Sequence, residues 1–311
     1  MRGDALGSAG PASSAARLAV TAIVPLAGFA AIGAAVAGGR GAIVGAVCGG
    51  VLVAAGYAYG DRLALSAMAA RPVGEVEHPE LYRLVRELSK TGRLPVPRLY
   101  LSPAEQPNAF AVGRGPRTAS VCCTQGLLSA LDEAELRGVV GHELAHVSGR
   151  DIFTATVAAG LATVITFPAG LAGFLPGRAG SAAPAPGTSG SAVPRRLGTS
   201  GLSPLEASLM LVLGPVAALV IRLAVTRARE YRADAAGALL SGDPVALARA
   251  LRKVDAGTAE LALAPDGRLT SVAHLMIACP FRPDGLARLF LTQPPAGERI
   301  RRLEALAGYR R

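Results

Sequence analysis

The sequence predicts a mainly α protein with a small β-sheet, an α+β domain combined with about four transmembrane helices. Three observations predict it. Apolar residues make up 51% of the 311 and charged residues only 17%, against roughly 25% charge in a typical soluble domain. The deficit is uneven: four stretches are nearly free of charge, and 25 of the 32 basic residues lie in residues 60–151 and 227–311. Those two blocks carry the helical and strand periodicities of water-facing structure. This much apolar surface excludes a disordered chain.

Taken in order, residues 1–17 form an N-terminal tail. Residues 18–38 are 21 uncharged residues, about 31 Å as a helix, which is one bilayer crossing. Arg40 interrupts, and residues 41–60 are again uncharged. So short a break predicts a tight antiparallel hairpin over 18–60, with Gly41, Gly45 and Gly49 on a face where helices approach closely. Ala35 and Ala37 resemble a signal-peptide cleavage site. The apolar run is longer than a signal core, however, and a second span follows at once, so the hairpin is preferred.

Residues 61–151 predict the first part of the water-facing domain. Leu81, Leu84, Val85 and Leu88 recur at helical spacing, giving an amphipathic helix over 79–92. Residues 98–102 read as a strand, and 109–112 with 118–124 as a hairpin around Gly113-Arg114-Gly115. Asp132 followed by Glu135 is a capping box that opens a helix running to about Gly149.

Residues 152–175 are uncharged for 24 residues and predict a third membrane helix. Residues 176–204, rich in Pro, Gly, Ser and Ala, predict a flexible loop. A fourth membrane helix is placed at 205–225. Its uncharged core has only 15 residues, 207–221, so Glu206 and Arg222 must sit at the rims, with Arg222 snorkelling. Residues 226–311 complete the water-facing domain as soluble helices.

An even number of spans puts both ends on one side. The arginine-rich blocks place the water-facing domain in the cytoplasm by the positive-inside rule. The net charge of +10 does not indicate nucleic acid, because the basic residues interleave with acids and lack aromatic partners. The four cysteines form no CxxC pair and suggest no disulfide framework, which fits a reducing compartment.

Only four histidines exist, and two lie in His142-Glu143-Leu144-Ala145-His146. Such a pattern arises by chance about 0.002 times in a chain of this composition. On a helix, positions i and i+4 share a face, so both imidazoles can reach one metal ion. Glu143 stands beside them, placed to take a proton from a water activated there and to return it to a leaving amine. A catalytic zinc needs a third protein ligand. Glu230 and Asp234, also at i and i+4, are the candidates: one carboxylate binds the ion, the other orients a ligand imidazole. The alternative is a solvated helix end with local arginine pairs.

These motifs resemble the M48 family of membrane zinc metalloproteases. The resemblance rests on Pro107-Asn108-Ala109-Phe110-Ala111, Gly141-His142-Glu143-Leu144-Ala145-His146, Arg150-Asp151, Arg229-Glu230-Tyr231-Arg232-Ala233-Asp234, and Pro294-Pro295 with Arg299-Ile300. It implies one zinc per chain held by His142, His146 and Glu230, with Glu143 as general base and Asp234 behind a ligand. It implies a gluzincin-like helical core on a small sheet, with a substrate peptide added as a strand along Asn108, Ala109, Phe110 and Ala111. It also implies a multi-pass protein of the bacterial inner membrane, in contact with lipid, whose substrates are polypeptides, chiefly misfolded membrane proteins. The family has His before the Pro-Pro pair, and this chain has Gln293. A neutral amide can donate a hydrogen bond to an oxyanion but carries no charge. Tyr231 or Arg299 are the alternative oxyanion or substrate contacts. The same departure supports a second reading, a scaffold or regulator that kept the fold and lost turnover. His274 reads as a satisfied core histidine, and His78 as exposed.

Overall fold

The computed structural model describes residues 11–149, 151–172, 204–263, 267–282 and 292–308. Residues 1–10 of the tail expected over 1–17, and nearly all of the expected loop over 176–204, lie outside them; residues 11–17 begin a helix instead of continuing a tail. Helix α1 (Pro11–Ala67) contains a break at Ala37 and Gly38. Gly38 takes φ +58°, a conformation that glycine adopts at little cost. The chain folds back there. A methyl on Gly33 would collide with the Gly41 carbonyl, and one on Gly45 with the Phe29 carbonyl. The absent side chains are what let the two halves touch.

The water-facing elements follow: β1 (Arg71–Pro72), α2 (Pro79–Thr91), β2 (Arg98–Ser102), β3 (Ala109–Val112), β4 (Ser120–Thr124), α3 (Gln125–Ala130) and α4 (Glu133–Ser148). Then come α5 (Asp151–Ala172), α6 (Pro204–Ala224), α7 (Arg227–Ser241), α8 (Pro244–Glu260), α9 (Gly267–Val272) and α10 (Ala296–Gly308). Helix α2 buries Leu81, Leu84, Val85 and Leu88 as its periodicity requires. His78, at its N-cap, is half-buried rather than exposed.

The sheet has the order β1-β2-β4-β3. β2 runs parallel to β4, while β1 and β3 are antiparallel to their neighbours. Both faces of β3 and β4 are covered. Phe110, Val112 and Cys122 join a core with α1, α5 and α6, while Ala109, Ala111, Val121 and Cys123 join one with α2, α4 and α8. Two-sided burial explains why these strands are continuous apolar runs without alternation.

α5 packs between α1 and α6, and Gly56, Gly60 and Gly160 line its contact with α1. Of the four expected crossings, one helical stretch among the described residues, Ala22–Ala67, is long and apolar enough to span a membrane. Ile152–Thr166 and Gly214–Ala224 are shorter apolar helices. The first of these is almost entirely buried against its neighbours.

Candidate metal centre

Helix α4 starts at a complete capping box. Asp132 Oδ1 accepts the Glu135 N–H at 2.8 Å, and Glu135 Oε2 accepts the Asp132 N–H at 3.1 Å. Glu135 is tied further to Lys253 of α8 at 2.6 Å. This fixes the register of the helix that carries His142, Glu143 and His146.

α7 crosses α4 at glycines. A methyl on Gly237 would lie 2.6 Å from the His142 nitrogen, and one on Gly141 2.9 Å from the Gly237 carbonyl oxygen. Close approach at this point brings the Glu230 and Asp234 face of α7 onto the histidine face of α4. His142 Nε2 and His146 Nε2 each lie 3.6 Å from Glu230 Oε2. Ligands on a tetrahedral zinc with bonds of ~2.1 Å are about 3.4 Å apart, so these two separations suit such an ion, and all three ligand atoms lie within 4.8 Å of one another. This trio is also the one His/Cys/Asp/Glu cluster of metal-binding size among the described residues.

Orientation agrees with that fit. His142 Nδ1 lies 2.9 Å from Asp234 Oδ1, which turns Nε2 toward Glu230 and the cluster. His142 Nε2 and both Glu143 carboxylate oxygens are buried without a protein hydrogen bond. Buried polar atoms in that state call for a ligand. Asp234 is held in turn by Arg299, with Nε to Oδ2 at 2.8 Å and Nη2 to Oδ1 at 2.7 Å.

The environment is dry: His142 and Glu143 are each 1% exposed, Glu230 2% and His146 4%. Burial pushes the Glu143 carboxyl up to about 7. Burial likewise pushes His146 down to about 4, which keeps it neutral and able to bind a metal. For His142 burial opposes the charged form, but Asp234 and Glu230 override it and raise the pKa to about 9. Burial also opposes ionisation of Glu230 and Asp234. His146, His142 and Arg229 nonetheless hold Glu230 well below the carboxylate range, and Arg299 holds Asp234 down at about 2.

The other expected site residues fall in different places. Tyr231 is half-buried, with the Arg302 guanidinium 3.7 Å from its ring centroid and Glu298 near enough to raise its pKa. Arg299 serves Asp234 rather than facing open space. Gln293 Nε2 donates to the Met276 carbonyl. Asn108, Ala109, Phe110 and Ala111 lie at the sheet edge as expected, but the edge is covered. Phe110 pairs with Met276, and the Ile277 N–H donates to the Ala109 carbonyl at 2.9 Å. His274 is buried with Nε2 3.1 Å from the Ala155 carbonyl oxygen, a core position. The crossing role of Gly141 and Gly237, and the place of residues 276–278, escaped sequence reasoning. Only the two glycines, in the HExxH helix and one turn beyond Asp234, left a local trace.

A family model described as peptidase family M48 matches residues 75–307. Among curated relatives, a "Protease HtpX homolog" of Kineococcus radiotolerans is 52% identical over 84% of this chain and 85% of its own length. Proteins of the same name from Paenarthrobacter aurescens and Aquifex aeolicus are 47% and 38% identical, over 85% and 89% of this chain and 84% and 88% of theirs. No solved structure matches the chain.

Proposed function

The chain belongs to peptidase family M48 and is a membrane metalloprotease, and from that premise we propose that it is a multi-pass zinc endopeptidase with a cytoplasmic active site. The observation that carries the site is the convergence of His142, His146 and Glu230 beside Glu143. His142, His146 and Glu230 hold the ion, a two-nitrogen, one-oxygen set suited to catalytic zinc. When bound, the zinc supplies a Lewis acid that makes water nucleophilic near neutral pH and polarises a carbonyl.

The rest is done by the chain's own groups. Glu143 takes the proton of the attacking water and passes it to the departing amine nitrogen. Asp234 fixes the His142 tautomer, and Arg299 fixes Asp234. The buried site excludes bulk water, which strengthens each of these interactions. Substrates are polypeptides. A quality-control role toward misfolded membrane proteins belongs to this proposal and rests on the resemblance of the motifs to the M48 family.

Membrane topology is part of the same reading. The hairpin within α1, together with α5 and α6, gives four crossings over residues 18–60, 152–175 and 205–225. Both halves of the catalytic domain, 61–151 and 226–311, then share the cytoplasmic side. The arginine distribution supports this orientation.

The test is metal analysis and casein cleavage by detergent-purified protein, beside a Glu143→Gln variant. One zinc per chain in both proteins is expected, with turnover lower by about 10²–10⁴-fold in the variant. Equal cleavage by the two would remove Glu143 from the mechanism and the site from the function.

A further inference from the structure

The β3 edge, where a substrate strand would add, is already occupied by the chain itself. Residues 276–278 lie along it. Phe110 and Met276 form one isolated antiparallel bridge, and the Ile277 N–H reaches the Ala109 carbonyl. Beyond that, side chains hold the backbone groups of this segment. Gln293 Nε2 donates to the Met276 carbonyl. Arg299 Nη1 donates to the Ile277 carbonyl at 2.6 Å. Asn108 Nδ2 donates to the Ala278 carbonyl at 2.9 Å, and Asn108 Oδ1 accepts the Ala278 N–H at 3.4 Å.

Every one of these bonds is to main chain, so any extended peptide offers the same groups at the same spacing. The segment also sits next to the chemistry. The guanidinium that binds the Ile277 carbonyl binds Asp234 as well, and Asp234 touches His142. The metal cluster is closed, with no member more than 4% exposed. A peptide bond cannot meet Glu143 unless something moves. The segment makes one isolated bridge and one further backbone bond to β3 rather than a continuous ladder; its other bonds come from side chains, and Met276 and Ile277 are buried.

We propose that residues 276–278 are an autoinhibitory strap: they occupy the peptide groove along β3 as a built-in surrogate and leave it when a substrate strand enters. This rests on the protease reading given above. The strap gives a membrane protease a resting state in which its groove is filled and its site dry. Entry of substrate is then an exchange, in which the incoming backbone takes over the bonds of Gln293, Arg299, Asn108 and Ala109. The open fraction lowers apparent affinity in proportion. A long unfolded chain can supply the displaced contacts, whereas a folded protein presents no free strand.

The test is casein cleavage by zinc-loaded, detergent-purified protein. Ile277 is fully buried, so Ile277→Ala weakens the anchor of the strap without touching a group that contacts the metal. The strap requires kcat/KM to rise about tenfold, through a lower KM, as the open fraction grows. An unchanged or lower kcat/KM with metal content intact overturns it, because a purely structural strand has nothing to release. Should the variant fold poorly, hydrogen exchange answers in its place. In metal-loaded Glu143→Gln protein, a saturating casein peptide should speed exchange of the Ile277 amide. Retained protection with the peptide bound overturns the strap and leaves the protease reading standing. Absence of cleavage by wild type and Ile277→Ala alike, each with metal bound, overturns the protease reading and this inference together.

Discussion

Arg299 clamps Asp234 with two nitrogens, at 2.8 and 2.7 Å, while the same carboxylate lies 2.9 Å from His142 Nδ1. All three side chains are buried. The carboxylate therefore has a guanidinium on one side and an imidazole nitrogen on the other, which orients the His142 ring with Nε2 toward Glu230. A residue of the last helix thus supports, through Asp234, the orientation of the proposed metal ligand His142.

Arg299→Lys is expected to lower zinc affinity by about 10–100-fold while leaving the three ligands in place. A lysine cannot reproduce the two-pronged grip, and loss of an outer partner of a ligand histidine costs about that much. Competition with a chromophoric chelator measures it. Unchanged affinity would mean that Asp234 holds its place unaided.

Gly237→Ala is expected to destabilise the fold by about 1–3 kcal/mol and to reduce metal content. The added methyl would stand 2.6 Å from the His142 nitrogen and 2.7 Å from its Cα, both backbone atoms that cannot swing aside. α7 must retreat, carrying Glu230 with it. Thermal unfolding together with metal analysis checks both halves. Gly242→Ala, at the αL end of the same helix with open space around it, should cost stability through its φ and leave metal binding intact.

His274 predicts a pH effect. Burial pushes its pKa down to about 4 from 6.5. Between those values the unfolded chain binds a proton that the folded chain excludes, so this residue subtracts stability as pH falls from 6.5 towards 4. The full effect approaches about 3 kcal/mol. His274→Gln keeps an amide donor for the Ala155 carbonyl and removes the titration. The difference in Tm between wild type and variant should therefore shift in the variant's favour as pH drops through that window. A pH-independent difference would show that His274 is protonated or exposed in the folded protein.

For topology, the expected outcome is that an impermeant thiol reagent added outside cells reaches a cysteine placed at Ser189 and misses one placed at Ser129, in a background lacking Cys48, Cys122, Cys123 and Cys279. Ser129 is an exposed site on α3. The reverse pattern would place the catalytic domain outside.

Much of the site was legible because its parts are local. His142 and His146, and likewise Glu230 and Asp234, are four residues apart, and helical geometry alone puts each pair on one face. Asp132 and Glu135 announced the start of α4 in the same way. The apolar runs of α1 and α5, and the strand at 109–112, were visible in composition for the same reason.

Other features depended on residues far apart in the chain, and only the tertiary structure decided them. From spacing alone, Glu230 and Asp234 were interchangeable as ligand and supporter. The crossing at Gly141 and Gly237 aims Glu230 at both Nε2 atoms, and it leaves Asp234 between His142 and Arg299, 65 residues further on. Likewise, residues 109–112 read as an apolar strand from the sequence by itself, and the family resemblance implied an edge along residues 108–111. The sequence could not determine that this edge is filled, because the partner that Asn108 holds, Ala278, lies 170 residues away. Local periodicity reports which face of an element is buried. Which other element buries it follows from packing and loop closure over the whole chain, a sum of small terms that no short motif contains.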